Sequence, residues 1–199
     1  MARSLSERRY EYRVILPSPL GQVIVQGTKT HIQFLKFNTS VSESLSEVIQ
    51  PPMLRVSNVS PNWLDDCRLQ LQQFFSGQRQ VFDLPIAPEG TEFQQCVWQA
   101  LLKIKHGEIA SYQKLAQLLA RPSAVRAVAS ANARNPIWLL IPCHRIIGSD
   151  LALRGYAGGV IRKAQLLTIE GATFDCISLE QVSDKTKLIL PAGKNHHYV

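Results

Sequence analysis

No Cys-x-x-Cys pair occurs in this chain, no apolar run reaches membrane-spanning length, and the polar start from Met1 to Arg13 lacks the hydrophobic stretch of a secretory leader. The four cysteines, Cys67, Cys96, Cys143 and Cys176, stand far apart, which excludes a zinc knuckle or a small disulfide scaffold and favours reduced thiols. With neither leader nor span, the expected address is the cytoplasm, with no membrane partner. Acidic residues are missing from a longer stretch. Between Ile109 and Ser149 there is no Asp or Glu, while Lys114, Arg121, Arg126, Arg134 and Arg145 all fall there. In a chain of formal charge +7, such a one-sign segment suits an anionic partner, most commonly a duplex phosphate backbone, although basic surface also serves solubility alone.

What is present is ample material for a core: 199 residues, 45% of them hydrophobic. Tyr12 to Leu16, Gln22 to Gly27 and His31 to Phe37 are short runs rich in Val, Ile and Phe, separated by Pro17-Ser18-Pro19-Leu20-Gly21 and Gly27-Thr28-Lys29, and they predict an antiparallel meander. Residues 39–61, rich in Ser, Glu and Pro, are expected to be a long connection. From Trp63 to Phe75 the apolar residues Leu64, Cys67, Leu71 and Phe74 fall at helical spacing, so Cys67 reads as core. Pro85 to Gly90 is a linker, and behind it Thr91 with Gln94 forms a capping box for a helix whose inner face is Phe93, Val97, Ala100, Leu101 and Ile104. Ser111 caps a second helix with Tyr112, Leu115, Ala116 and Leu119 facing in.

The third helix of this group, Ala124 to about Ala133, places Val125, Val128, Ala129 and Asn132 on one face and Arg126, Ser130, Ala133 and Arg134 on the other. Small residues between two arginines let a helix backbone approach a groove while the guanidiniums reach phosphates or bases, the layout of a helix-turn-helix recognition element. Asn135-Pro136 ends the helix, and an apolar, strand-like run from Ile137 to Ile147 follows. Gly148 to Gly155 reads as a hairpin or wing, and Val160 to Ile169 as a last helix stopped by Gly171. The expected fold class is therefore α+β: a small N-terminal antiparallel sheet with a helix (residues 1–88), then a mostly helical winged helix-turn-helix unit (89–175) and a tail (176–199) of no assigned role. Cys176, His196 and His197 lack ligand spacing, and no metal is expected.

The chemistry concentrates in Ile141-Pro142-Cys143-His144-Arg145-Ile146-Ile147. A thiol beside an imidazole that can take its proton is a nucleophile in waiting, whereas a cysteine among isoleucines is by default core filler. Glu170 sits at the carboxyl end of the last helix, where the macrodipole disfavours an anion by about 0.3 to 1 kcal/mol; this hints at a partner elsewhere, although a lone glutamate at a frayed helix end is more commonly just solvated.

Ser111-Tyr112, Arg126-Ala127-Val128, Asn135-Pro136, Pro142-Cys143-His144-Arg145, Gly155-Tyr156-Ala157-Gly158-Gly159 and Leu166 to Gly171, in this order and spacing, resemble the O6-alkylguanine-DNA alkyltransferases, or methylated-DNA-protein-cysteine methyltransferases. The likeness is close from about Thr91 to Ala172 and looser over Tyr12 to Leu84. It implies irreversible transfer of an alkyl group from guanine O6 to Cys143, with no cofactor, by a monomer acting on double-stranded DNA. It further implies that Glu170 orients His144, that His144 deprotonates Cys143 through a bridging water, and that Asn135 holds the segment. The target base must rotate out of the duplex. By the same resemblance Arg126 fills the vacated stack, Tyr112 crowds the rotated phosphate and bonds the base, and Tyr156, Ala157 and the carbonyl of Ile146 line the base pocket. Ala127, Ser130 and Arg134 join Arg126 on the DNA-facing helix.

The chain departs from the family at three places. Ala129 stands where glycine is usual, and it faces inward. Ala157 lacks the hydroxyl that many members offer to O6. The wing has Ser149-Asp150-Leu151-Ala152 in place of a glycine turn. Two other readings compete: a non-catalytic binder of alkylated DNA, against which Cys143 argues, and a winged-helix regulator with an incidental Cys-His pair.

Overall fold

Alternating side chains produce the meander. The strands β1 (Tyr12–Leu16), β2 (Val23–Gly27) and β3 (Ile32–Phe37) pair antiparallel in the order β1-β2-β3, and Val23 and Val25 of the central strand are fully buried on one face. The turn after β2 admits only glycine, since a Cβ on Gly27 would lie 2.1 Å from the carbonyl oxygen of His31. The computed structural model describes residues 10–38, 60–176 and 178–189. The expected connection therefore falls, up to residue 59, outside the described residues, as do His196 and His197.

Helix α1 (Leu64–Phe75) buries Cys67, Leu71 and Phe74 as the spacing predicts, with Leu64 only half-buried. Burial pushes the Cys67 thiol up to about 12, so it is inert. The segment read as a linker does more than connect: Ile32 N–H donates to the Pro85 carbonyl and Ala87 N–H to the Ile32 carbonyl, both at 2.8 Å, so the chain runs along β3 before entering the second helix.

That helix, α2 (Glu92–Leu101), opens with the expected capping box between Thr91 and Gln94. Thr91→Ala should cost about 1 kcal/mol, read as a lowered denaturation midpoint with an unchanged slope. Buried Trp98 donates from Nε1 to the Ala131 carbonyl at 3.0 Å, fastening α2 to α4 (Val125–Ala133). Between them lie β4 (Ala110–Ser111) and α3 (Tyr112–Leu118), capped by Ser111 Oγ accepting from Lys114 N–H at 3.0 Å.

The run from Ile137 to Ile147 is not one strand. Only β5 (Ile146–Ile147) is, pairing parallel with β4. Ile137 makes a single bridge to Leu35, Leu139 reverses the chain at φ +70°, and Cys143–Arg145 is a 3-10 turn. Every residue of the run is buried, so its apolarity reports burial on all sides and not an extended backbone. Helix α5 (Val160–Ile169) then runs to Glu170 and stops at Gly171, φ +95°. The last described residues form β6 (Thr173–Phe174) and β7 (Leu188–Ile189), an antiparallel pair.

Candidate active site

The 3-10 turn following Pro142 presents Cys143 at the junction of α4, β5 and α5, with the residue 3% exposed. Its sulfur receives a hydrogen bond from Asn135 Nδ2 at 3.0 Å. Asn135 is itself immobilised: the same amide donates to the Ile141 carbonyl at 2.8 Å, its Oδ1 accepts from Ile137 N–H at 3.0 Å, and its backbone carbonyl accepts from Trp138 Nε1 at 3.1 Å. Asn135 thus touches the sulfur as well as holding the segment. Burial raises the Cys143 thiol above its ordinary value, and the Asn135 hydrogen bond and the charge of Lys163 offset this only in part, so the resting sulfur carries its proton.

An imidazole stands next to it in sequence. His144 is fully buried, and its Nε2 lies 3.0 Å from Glu170 Oε1. The other ring nitrogen, Nδ1, is buried with no hydrogen-bond partner among the described residues. Burial lowers the His144 pKa, with Glu170 opposing, which leaves a neutral imidazole at pH 7. Glu170 is held from a second side by Arg145, whose Nη2 donates to Oε1 at 2.8 Å and Nε to Oε2 at 3.0 Å, while Nη1 donates to the Ile104 carbonyl at 2.6 Å. Arg145 is therefore an interior residue and not, as the charge count suggested, part of the basic surface.

Burial alone would raise the Glu170 carboxyl, but the charge that His144 carries once acid has protonated it, with the hydrogen bonds from His144 and Arg145, brings it down to about 2 from 4.5. A depressed carboxyl gives stability that is full above its unfolded value and lost as pH falls through the folded one. The lowered His144 acts in the same sense below its ordinary 6.5, because the fold resists charging it. Unfolding free energy should therefore fall from about pH 6.5 downward, with on the order of 3 kcal/mol attributable to Glu170 between about pH 4.5 and about pH 2. Denaturant titrations across this range test it, since Glu170→Gln should flatten the lower part of the curve.

Around this centre stand the recognition candidates. Tyr112, half-buried at the start of α3, is raised by burial and then by proximity to Cys143, which places it at the sulfur's side of the helix. The Tyr156 hydroxyl is buried with no partner at hydrogen-bond geometry among the described residues, although burial and then the nearby Cys143 raise its pKa well above the ordinary value, and its ring lies 5.4 Å from that of Trp138. Ala157 is exposed in the turn before α5. Ile146 is fully buried, and its carbonyl already accepts from Lys163 Nζ at 2.6 Å. On α4, Arg126, Ala127 and Arg134 are exposed and Ser130, half-buried, accepts from the Arg134 guanidinium. Val128, Ala131 and Asn132 face the core, with Ala129 half-buried beside them.

Residues 92–172 match the family model for the 6-O-methylguanine DNA methyltransferase DNA binding domain, and residues 11–88 that for its ribonuclease-like domain. The chain belongs to the 6-O-methylguanine DNA methyltransferase family. A methylated-DNA--protein-cysteine methyltransferase from Methanosarcina barkeri is 38% identical over 80% of this chain and 96% of its own length, and the constitutive one of Bacillus subtilis 40% identical over 82% and 97%. The crystal structure of the Mycobacterium tuberculosis O6-methylguanine methyltransferase superposes with TM-score 0.66 at 36% identity, covering 80% of this chain and 92% of that one, and a structure of that protein in complex with DNA matches equally well.

Two residues around this candidate site were not singled out by the sequence pattern. Arg145 was legible as a cation set among buried isoleucines with a lone carboxylate, Glu170, waiting for it. Lys163, on α5, carried no such signal: it is fully buried and donates to the carbonyls of Ile146 and Leu153. Burial lowers its pKa to about 7.

Proposed function

We propose that this methyltransferase takes the methyl or other alkyl group of O6-alkylguanine in duplex DNA irreversibly onto Cys143, one turnover per molecule. The guanine O6–carbon bond breaks as the sulfur–carbon bond forms. The thiol proton passes to His144 Nδ1 through a water, and a proton returns to the departing guanine. The observation that carries this reading is the buried grouping of Cys143, His144 and Glu170, in which the imidazole is neutral, its Nε2 is held at 3.0 Å by a carboxylate and its Nδ1 has no hydrogen-bond partner among the described residues. This is the logic of nucleophile, base and orienting acid, applied to a product that never leaves. No cofactor is needed, since the substrate supplies the alkyl group. Single use by a monomer in the cytoplasm accords with it, because a free thiol must stay reduced.

Incubation of reduced protein with a duplex bearing O6-methylguanine should add one methyl mass to the peptide containing Cys143. Folded, reduced protein showing no such gain would overturn the reading.

Access to a stacked base sets the role of α4. Rotating a nucleotide out of the duplex costs a few kcal/mol, and a side chain filling the gap recovers part of it. Arg126, exposed on the outer face of α4, is suited to that position. Arg126→Ala should slow repair of the duplex roughly tenfold or more while leaving reaction with the free alkylated base nearly unchanged. Equal losses on both substrates in single-turnover assays would count against the stacking role.

A further inference from the structure

The segment beyond Ala172 lies outside the family models, yet it is joined to the site. Leu153 N–H donates to the Thr186 carbonyl and Arg154 N–H to the Asp184 carbonyl, both at 2.9 Å, while Leu188 N–H donates to the Leu151 carbonyl at 3.1 Å. Ala152 bridges Lys187 antiparallel, and β7 pairs in turn with β6. Turn 148–155 is thus one strand of a three-stranded patch whose other two strands come from 173–189. Leu188 packs with Ile109, Ile147, Leu153, Ala164 and Leu167 in a second core cluster.

This attachment falls where the turn is least comfortable. Leu151 and Arg154 have φ of +66° and +57°, a region that side chains other than glycine, Asn or Asp seldom adopt. Such conformations persist only where the surroundings over-determine them. The hydrogen bonds to Thr186, Asp184 and Leu188 engage Leu151, Leu153 and Arg154 themselves. From Leu153 the connection continues inward, because its carbonyl and that of Ile146 are both held by the Lys163 ammonium. Ile146 is three residues past Cys143 and follows its turn directly.

We propose that residues 173–189 are a strap that holds the strained 148–155 turn and, through Lys163 bridging Leu153 and Ile146, positions the Cys143 turn for alkyl transfer. The inference rests on the alkyl-transfer reading above. Lys163 acts here as a positioning residue, since neither of its hydrogen bonds reaches the reacting atoms.

Leu188→Pro deletes the N–H that binds Leu151, Lys163→Met deletes the bridge, and the double variant tests whether they act in series. All are assayed by single-turnover transfer from methylated duplex at a temperature where circular dichroism shows each variant fully folded. Duplex affinity is measured in parallel. Each single change should slow transfer roughly ten- to hundredfold, as small misplacements of reacting groups do, with affinity unchanged. The double variant should be no slower than the worse single one, because the second change interrupts an already broken connection. Folded Leu188→Pro reacting at the wild-type rate, or losses that multiply in the double variant, would overturn the proposal. Should Leu188→Pro not fold, Leu188→Ala takes its place under the same criteria: it keeps the N–H but removes the side chain that seats the strap against Ile147, Leu153 and Leu167. Failure of the wild type itself to transfer methyl would instead sink the alkyl-transfer reading, and the two failures are separately visible.

Discussion

Cys143→Ser should accept no alkyl group at all while binding alkylated duplex as tightly as the unaltered protein. The substitution changes one atom. The hydroxyl remains within reach of Asn135 Nδ2, now 3.0 Å from the sulfur, so the turn keeps its tether and the cost of burying a more polar group should stay within about 1 to 3 kcal/mol. What is lost is acidity and nucleophilicity. A buried thiol already lies above its ordinary pKa here, and a neutral imidazole can remove its proton only because sulfur ionises far more readily than an alcohol. Mass spectrometry of the 143 peptide checks the first half of the prediction and a salt-controlled binding titration the second. Residual transfer to the serine variant would place the acceptor elsewhere, and lost binding would mean that the sulfur shapes the pocket as well as reacting.

Glu170→Ala should be the most destabilising single change in the site. The Glu170 side chain is 1% exposed and receives three hydrogen bonds from the Arg145 guanidinium besides the His144 contact. Removing it leaves a buried guanidinium with, among the described residues, only the Ile104 carbonyl, a situation that costs about 3 to 5 kcal/mol. Against a typical total of about 5 to 15 kcal/mol, that approaches loss of the fold at 37 °C. Glu170→Gln separates the two duties. It keeps an acceptor for Arg145 and so should remain folded, but it gives His144 a neutral partner and should slow transfer. Denaturant midpoints for both variants and transfer rates for the folded one decide this. If Glu170→Ala were as stable as the parent, Arg145 would have found another partner and the ion pair would not be structural.

The parts of the fold legible in advance are those decided within a few residues. Thr91 and Gln94 satisfy each other's backbone donors wherever that tetrapeptide begins a helix, and the alternating Val23 and Val25 need only a sheet with one buried face. Glu170 was legible for a different reason: an anion at a helix carboxyl terminus is locally disfavoured, so it advertised a distant partner. The run from Ile137 to Ile147 was misread because an unbroken apolar stretch records that all sides are covered without recording the backbone path. Pro142 and the left-handed Leu139 bend it into the turn that presents Cys143.

The sequence by itself determined the meander, the helix starts, the basic face of α4 and the pairing of a thiol with an imidazole, since each depends on neighbours along the chain. Tertiary structure alone decided that Arg145 points inward to Glu170, that Lys163 spans two carbonyls, and that the segment after Ala172 folds back on the 148–155 turn. Those contacts join residues 10 to 37 positions apart. Their energies come from removing charges and backbone polar groups from water together, a condition that exists only once the chain has closed around them.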